Sequence, residues 1–228
     1  MIIDCHCHFD RMQNPQSFLY ENELRGNYII GMTNTPRHFQ TSFPYVKSCR
    51  FIRLALGFHP QAIEEIYSQL SLFKELISNT SYIGEVGLDF NKYFINSKSI
   101  QLESFDYICA CLSGQKKIIS IHSRMAEREV INILEKYNIS SPIFHWYTGP
   151  LGLIPRIIEL GGYFSINEAM TLSENGRKII SHIPLNRLLT ESDAPYNKKN
   201  NIISALNNLN IDSKVIYSNF KTLMNTIR

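Results

Sequence analysis

No run of apolar residues in this chain is long enough to cross a bilayer, and its start carries no basic segment leading into a signal-type apolar stretch. A membrane-bound role is disfavoured and a cytoplasmic one expected. Cysteine is scarce. The five cysteines are odd in number and irregularly spaced, and Cys109 and Cys111 stand two apart in a helical-looking segment, on different sides. That argues against a disulfide framework and agrees with a reducing compartment. A strong excess of one charge is missing too: a net charge of +3 does not announce nucleic acid. From Lys198 onward five basic residues stand against one acidic residue, Asp212, and a solvated helix face is the simpler account of that excess. No glycine-rich loop follows the first apolar run, which weakens a dinucleotide-binding reading. No stretch rich in proline, glycine or serine divides the chain. Its most polar run, "YNKKNN" at Tyr196–Asn201, reads as a loop leaving the last strand. The chain is therefore read as one domain spanning residues 1–228, a length that suits a barrel.

What is present is a rhythm. Short apolar runs, many rich in isoleucine, recur at Met1–Ile3, Tyr28–Met32, Phe51–Leu56, Tyr82–Val86, Ile118–Ile121, Ile143–Phe144, Tyr163–Ile166 and Arg187–Thr190. Helical periodicity fills most of the intervals. In "QAIEEIYSQLSLFKELI" the residues Ile63, Ile66, Leu70, Phe73 and Ile77 fall at spacings of three and four. In "REVINILEKY" Val130, Ile133 and Leu134 share one side, and from Lys214 on Val215, Ile216, Phe220, Leu223 and Ile227 predict a closing helix. Strands alternating with helices argue for a parallel sheet, and eight of them for a closed α/β barrel of the (β/α)8, TIM type.

Chemistry gathers where these strands end. The first is followed by His6 and His8 in "IIDCHCHFD", the third by His59 in "GFHP", the fifth by His122 in "IHSR" and the sixth by His145 in "FHWYTG". The fourth contains Glu85 in "IGEVGLDF", and the eighth leads into Glu191 and Asp193 in "TESDAP". In a parallel barrel these ends converge on one face, where barrel enzymes place their sites. Only His38 and His182 lie off that face, and both are assigned to the surface. Strand alternation sends His6 and His8 to one side and Cys5 and Cys7 to the other. A His-x-His pair can present two nitrogens to one cation, and carboxylates such as Glu85 and Asp193 complete a site for a divalent ion. Each motif alone has a plainer explanation: a structural histidine, a turn at "GEVG", a helix cap at "ESDAP". Joint placement of four histidines and two carboxylates is harder to obtain from packing, because burying so many ionisable groups without a cation is costly.

These motifs, taken in order through "DCHCHFD", "LGFHPQ", "IGEVGLDF", "IHSR", "FHWYTG" and "TESDAPY", resemble the TatD-type metal-dependent deoxyribonucleases, a branch of the amidohydrolase-like barrels. The likeness spans residues 1 to about 196. "FHWYTGP", "GGYFSINEAM" and "TESDAPY" look closest to the TatD-like component of the Qat anti-phage systems of bacteria. The resemblance implies one metal position bound by His6, His8, Glu85 and Asp193, and a second bound by Glu85, His122 and His145, with Glu85 bridging two divalent ions. Magnesium or manganese is the implied metal, and zinc also fits the ligands. Cations about 3.5–4 Å apart can activate a water and offset charge on phosphorus, with Asp193 accepting a proton and His59 reaching the substrate phosphate or the leaving group. The implied activity is hydrolysis of DNA phosphodiesters as a 3′ to 5′ exonuclease on single-stranded ends. Arg124 is placed to pair with a phosphate or with a surface carboxylate. Trp146 or Tyr147 could stack on a base, core packing being the other role for one of them. Two departures stand out. Met125 occupies a position where the family commonly has an aspartate, so a carboxylate behind the ligands is missing. The segment after "ESDAPY" is short, and Lys198 and Lys199 would replace its lost basic contacts.

Two other functions fit the same residues: a barrel hydrolase of a small ester, amide or phosphoester, and a nucleic-acid-binding assembly subunit of a defence complex with little activity alone. The intact ligand set favours catalysis, since a scaffold has no physical need of converging ligands.

Overall fold

In the computed structural model, which describes residues 1–196 and 201–227, the apolar runs become nine strands. They are β1 (Ile3–Cys7), β2 (Tyr28–Gly31), β3 (Ile52–Leu54), β4 (Leu56–Phe58), β5 (Tyr82–Gly87), β6 (Ile118–His122), β7 (Ile143–His145), β8 (Tyr163–Ile166) and β9 (Leu188–Thr190). Every hydrogen-bonded pair is parallel, in the orders β1-β2-β3 and β4-β5-β6-β7-β8-β9. β3 and β4 are one barrel position interrupted at Ala55. Thr33, just past β2, staples the break: its hydroxyl donates to Ala55 O at 2.9 Å and accepts from Gly57 N at 3.0 Å. The ring closes between β9 and β1. Thr190 Oγ1 donates to Ile3 O, Asp193 N to His6 O at 2.9 Å, and His8 N to Ala194 O at 2.7 Å. Eight strand positions thus form a TIM-type α/β barrel.

The first strand starts later than its apolar run suggests. Its hydrogen-bonded span is Ile3–Cys7, so His6 lies inside the strand and His8 one residue beyond it. Cys5 and Cys7 are fully buried, as strands covered on both faces require. Helices surround the barrel. Lys98–Leu112 buries Phe105, Ile108, Cys109 and Leu112 and leaves Cys111 half-exposed. Glu127–Lys136 buries Val130, Ile131 and Leu134, with Ile133 only partly covered. Each such aliphatic side chain contributes roughly 1.5–3 kcal/mol through burial. The segment after Gln61 is helical throughout but broken into α turns at Ile63–Ile66 and Leu70–Leu76, with one 3-10 turn between them at Tyr67–Gln69 and another after them at Ile77–Asn79. The closing helix runs Ser213–Asn225 and buries Ile216, Phe220 and Leu223.

Local signals start and stop these helices. Asn14, Thr35, Asn167 and Asp212 accept backbone N–H bonds at N-termini, and Pro15 and Pro36 open helices where a missing N–H costs nothing. No described helix is long and apolar enough to cross a membrane.

Candidate metal centre

Register sets the rim. β5 and β6 pair Gly87 with His122, and β7 and β8 pair His145 with Ser165, so the ends of neighbouring strands lie level. A cleft of about 650 Å³ opens there, its walls including His8, His59, His122, His145, Glu85 and Asp193.

Glu85 sits at its floor, 2% exposed, with five imidazoles turned toward it. Its Oε2 is 3.4 Å from His6 Nε2, 3.2 Å from His8 Nε2 and 3.1 Å from His59 Nε2. Its Oε1 is 2.5 Å from His122 Nδ1 and 3.1 Å from His145 Nε2. Asp193 Oδ1 lies 3.9 Å from His6 Nε2 and 3.8 Å from His8 Nε2. The backbone delivers these groups through local geometry. Thr33 O accepts the Glu85 N–H at 3.2 Å, and Asp193 adopts φ 50° at a sharp turn after β9.

Hydrogen bonds at the far side of each ring decide which nitrogen is free. His122 Nε2 donates to Asp89 Oδ2 at 3.0 Å, because a carboxylate only accepts. Its Nδ1 lone pair therefore faces Glu85 Oε1, acceptor against acceptor, unless a proton or a metal lies between. Burial pulls the His122 imidazole down, and Glu85 and Asp89 outweigh it and hold the ring above its ordinary range. His59 shows the opposite tautomer: Nδ1 accepts the Gln61 N–H at 3.1 Å, so Nε2 carries the proton and donates to Glu85. His6 Nε2 and His8 Nε2 are 3.2 Å apart, and burial holds His6 well below the usual imidazole range. His8 Nδ1 and His145 Nδ1 are buried without a hydrogen-bond partner among the described residues. Glu85 is held well below the carboxylate range, the surrounding imidazoles outweighing its burial.

This donor set fits divalent cations. Neutral imidazole lone pairs and two carboxylates meet in a buried space where protons alone cannot satisfy them all. Three groups bring ligand atoms within 4.8 Å of one another: His6, His8 and Asp193; His6, Glu85 and His145; and His59, Glu85 and His122. His122 Nδ1 and His145 Nε2 both face Glu85 Oε1, and His59 lies within reach of Glu85 and His122, although its Nε2–H cannot ligate in this tautomer.

Other residues fall differently from their sequence reading. Tyr147 is core, packed between Phe144 and Phe164 with its hydroxyl donating to Pro150 O at 2.8 Å. Trp146 and Arg124 line the cleft. Lys198 and Lys199 lie outside the described residues. His182 is exposed, but His38 is not a free surface residue: its Nδ1 lies 3.1 Å from the buried Asp10 carboxylate. Met125 is 67% exposed, and the carboxylate behind His122 comes from Asp89 instead. That residue stands in "IGEVGLDF", four positions past Glu85, where only Glu85 drew notice.

Three more buried acids and amides support the ligands. Asp4 accepts from His6 N at 3.2 Å, Ser192 N at 3.0 Å and Ser192 Oγ at 2.6 Å, tying β1 to the turn that carries Asp193. Burial pushes its carboxyl up to about 7, against those hydrogen bonds. Glu191 accepts from Ser165 Oγ and from Asn167 Nδ2 at 2.9 Å, and stands 3.6 Å from His145 Nδ1.

A parallel barrel whose strand ends gather imidazoles and carboxylates around one buried glutamate is of the metal-dependent hydrolase class. The family described as TatD related DNase matches residues 3–217, and the chain belongs to it. An uncharacterized metal-dependent hydrolase of Buchnera aphidicola is 30% identical over 222 residues, covering 86% of this chain and 81% of that protein. The human deoxyribonuclease TATDN3 is 24% identical over 217 residues, covering 85% and 78%. The crystal structure of YJJV, a TatD homolog from Escherichia coli K12, superposes with a TM-score of 0.80 at 20% identity over 99% of this chain and 97% of that one, a likeness of fold.

Proposed function

We propose that the chain is a metal-dependent hydrolase of DNA phosphodiester bonds, acting as a 3′ to 5′ exonuclease on single-stranded ends. The observation that carries this reading is the convergence of five imidazoles and Asp193 on the buried Glu85 carboxylate. Family membership supports it, as do relatives named metal-dependent hydrolases and deoxyribonucleases.

His6, His8, Glu85, His122, His145 and Asp193 would hold two divalent ions, with magnesium or manganese the first choice and zinc compatible with the ligands. Bound there, such cations polarise a phosphoryl oxygen and offset the negative charge that builds on phosphorus. Asp193 takes the proton of the attacking water as the new P–O bond forms. His59 carries its proton on Nε2 and gives it to a phosphate oxygen or to the departing hydroxyl as the old P–O bond breaks. Arg124 is exposed at the cleft and pairs with the phosphate flank. Lys198 and Lys199, outside the described residues, are proposed to add basic charge toward the same phosphates. We extend the reading to anti-phage defence beside partner proteins, on motif likeness alone; protection against phage that disappears in a Glu85→Gln strain is the expected result.

The decisive experiment compares the wild type with Glu85→Gln on single-stranded DNA, duplex DNA and a panel of small esters and phosphoesters, with magnesium, manganese and zinc. Wild type should degrade single strands from the 3′ end. Glu85→Gln should lose at least about 100-fold in rate with an unchanged circular dichroism spectrum. Turnover of small esters without DNA cleavage would replace the nuclease reading.

A further inference from the structure

We infer that Asn34 is a substrate-binding residue, donating from its amide Nδ2 to a non-bridging oxygen of the phosphate under attack. This rests on the phosphodiester reading and deepens it by naming a neutral donor that the ligand motifs do not contain. The second barrel position ends without an imidazole or a carboxylate. Among the described residues, what it brings to the cleft wall is Asn34, in barrel order between His8 and His59. The backbone there is pinned. Thr33 O accepts the Glu85 N–H at 3.2 Å, Asn34 O accepts the His59 N–H at 2.9 Å, and Thr35 Oγ1 caps the next helix by accepting from His38 N at 3.0 Å. These neighbours are thus tied to Glu85, to His59 and to a helix start, and a side chain on such a scaffold is held in the geometry a reaction needs.

The Asn34 amide itself is not used in this way. Asparagine ordinarily serves in a turn or as a helix cap, but Thr35 fills the cap position here. Packing does not account for it either, since burying an amide without partners is costly. Asn34 is half-buried on the cleft wall, and its Oδ1 is buried without a donor among the described residues. An unspent amide on the wall of a reaction cleft is a group that a bound ligand completes. With Oδ1 turned into the wall, Nδ2 is the end the cleft reaches. An N–H donor suits a phosphoryl oxygen and not a cation, which needs a lone pair. Being neutral, it does not repel the ions that Glu85 would hold, and its hydrogen bond strengthens as negative charge builds on the oxygen.

The test uses the full chain loaded with manganese. Its substrates are a short oligothymidylate and the same strand with sulfur replacing one non-bridging oxygen of the 3′-terminal linkage, each diastereomer separately. Asn34→Ala should lower kcat about 10- to 150-fold with KM little changed. Sulfur accepts a hydrogen bond poorly. For one diastereomer the ratio of oxygen to sulfur rates should therefore shrink at least about twofold in the variant, and for the other it should stay as in the wild type. Effects of sulfur on the metal are common to both proteins and cancel. Asn34→Asp, equal in shape but without the donors, should lose at least as much in kcat. Manganese affinity of Asn34→Ala by calorimetry should match the wild type, and its metal-free melting temperature should be equal or higher, because an unpaired buried oxygen is gone. Wild-type ratios for both diastereomers, or a loss of kcat matched by a loss of manganese affinity, would overturn the role of Asn34 and leave the nuclease reading standing. A wild-type protein that cleaves no phosphodiester would end both.

Discussion

Asp89 shows how one side chain outside the ligand set can govern it. Its two carboxylate oxygens accept from His122 Nε2 at 3.0 Å, Gln61 Nε2 at 2.7 Å, Asn91 N at 3.0 Å and Asn91 Nδ2 at 2.6 Å. Burial pushes this carboxyl up, yet the hydrogen bonds outweigh burial and hold it at about 2. It is therefore a fixed anion behind His122, and it sets which ring nitrogen points at Glu85. Gln101 holds Asp89 in turn, accepting from its N–H at 2.7 Å and donating to its carbonyl at 3.0 Å. Asp89→Asn keeps the shape but can turn an N–H toward His122 and free the wrong tautomer. Manganese affinity measured by calorimetry should fall about 10- to 100-fold, while the thermal transition of the metal-free protein moves little. An unchanged affinity would show that His122 is oriented without it.

At the scale of an element, the break between β3 and β4 links fold to site. An ideal Cβ on Gly57 would lie 1.5 Å from Thr33 O, and that carbonyl is the one accepting the Glu85 N–H. The close approach of these backbones is what seats the central carboxylate. Gly57→Ala should therefore cost about 2 kcal/mol or more in urea unfolding and should lower metal affinity as well. A variant of wild-type stability would mean that the backbone relaxes without moving Glu85. The helix Glu127–Lys136 offers a test with a pH sign. Glu127 is its first residue and accepts from Met125 N, just before the helix, at 3.3 Å, where the helix dipole favours an anion. Burial nevertheless pushes its carboxyl above the ordinary range. Below the unfolded range the group is neutral in both states; as pH rises through the folded range the native state comes to hold a buried charge that the unfolded chain holds in water, and stability is lost. Glu127→Gln should thus gain in melting temperature relative to wild type between about pH 4 and pH 8. A constant difference across that range would rule the effect out.

For the molecule as a whole, the centre joins distant parts of the chain: His6 lies in β1 and His8 just past it, and Asp193 follows β9, which closes the ring. A cation held by both ends favours the closed barrel over the unfolded chain. At free metal about 100 times the dissociation constant the expected gain is about 2.7 kcal/mol, seen as a higher melting temperature that chelator removes. Glu85→Gln should lose most of that increment. Equal responses of the two proteins to manganese would place the stabilising ion elsewhere.

Local patterns carried much of this in advance. Isoleucine-rich runs alternating with helical stripes are enough to specify parallel strands and a barrel, because strand and helix periods are properties of the residues themselves. Histidines and acids at the run ends were visible for the same reason. Side-chain partnership was not, since it depends on groups that meet only after the ring closes. Asp89 behind His122, Glu191 beside His145, Asp4 across the closure and the pairing of His38 with Asp10 are separated or reoriented in the extended chain, and spacing along it says nothing of which ring nitrogen is left free. Residue types and their order therefore determined the barrel and the rim on which its chemistry lies. The tautomers, the grouping of ligands around Glu85 and the division of labour between Trp146 and Tyr147 were decided only in three dimensions, where hydrogen bonds and burial act at distances of a few ångströms.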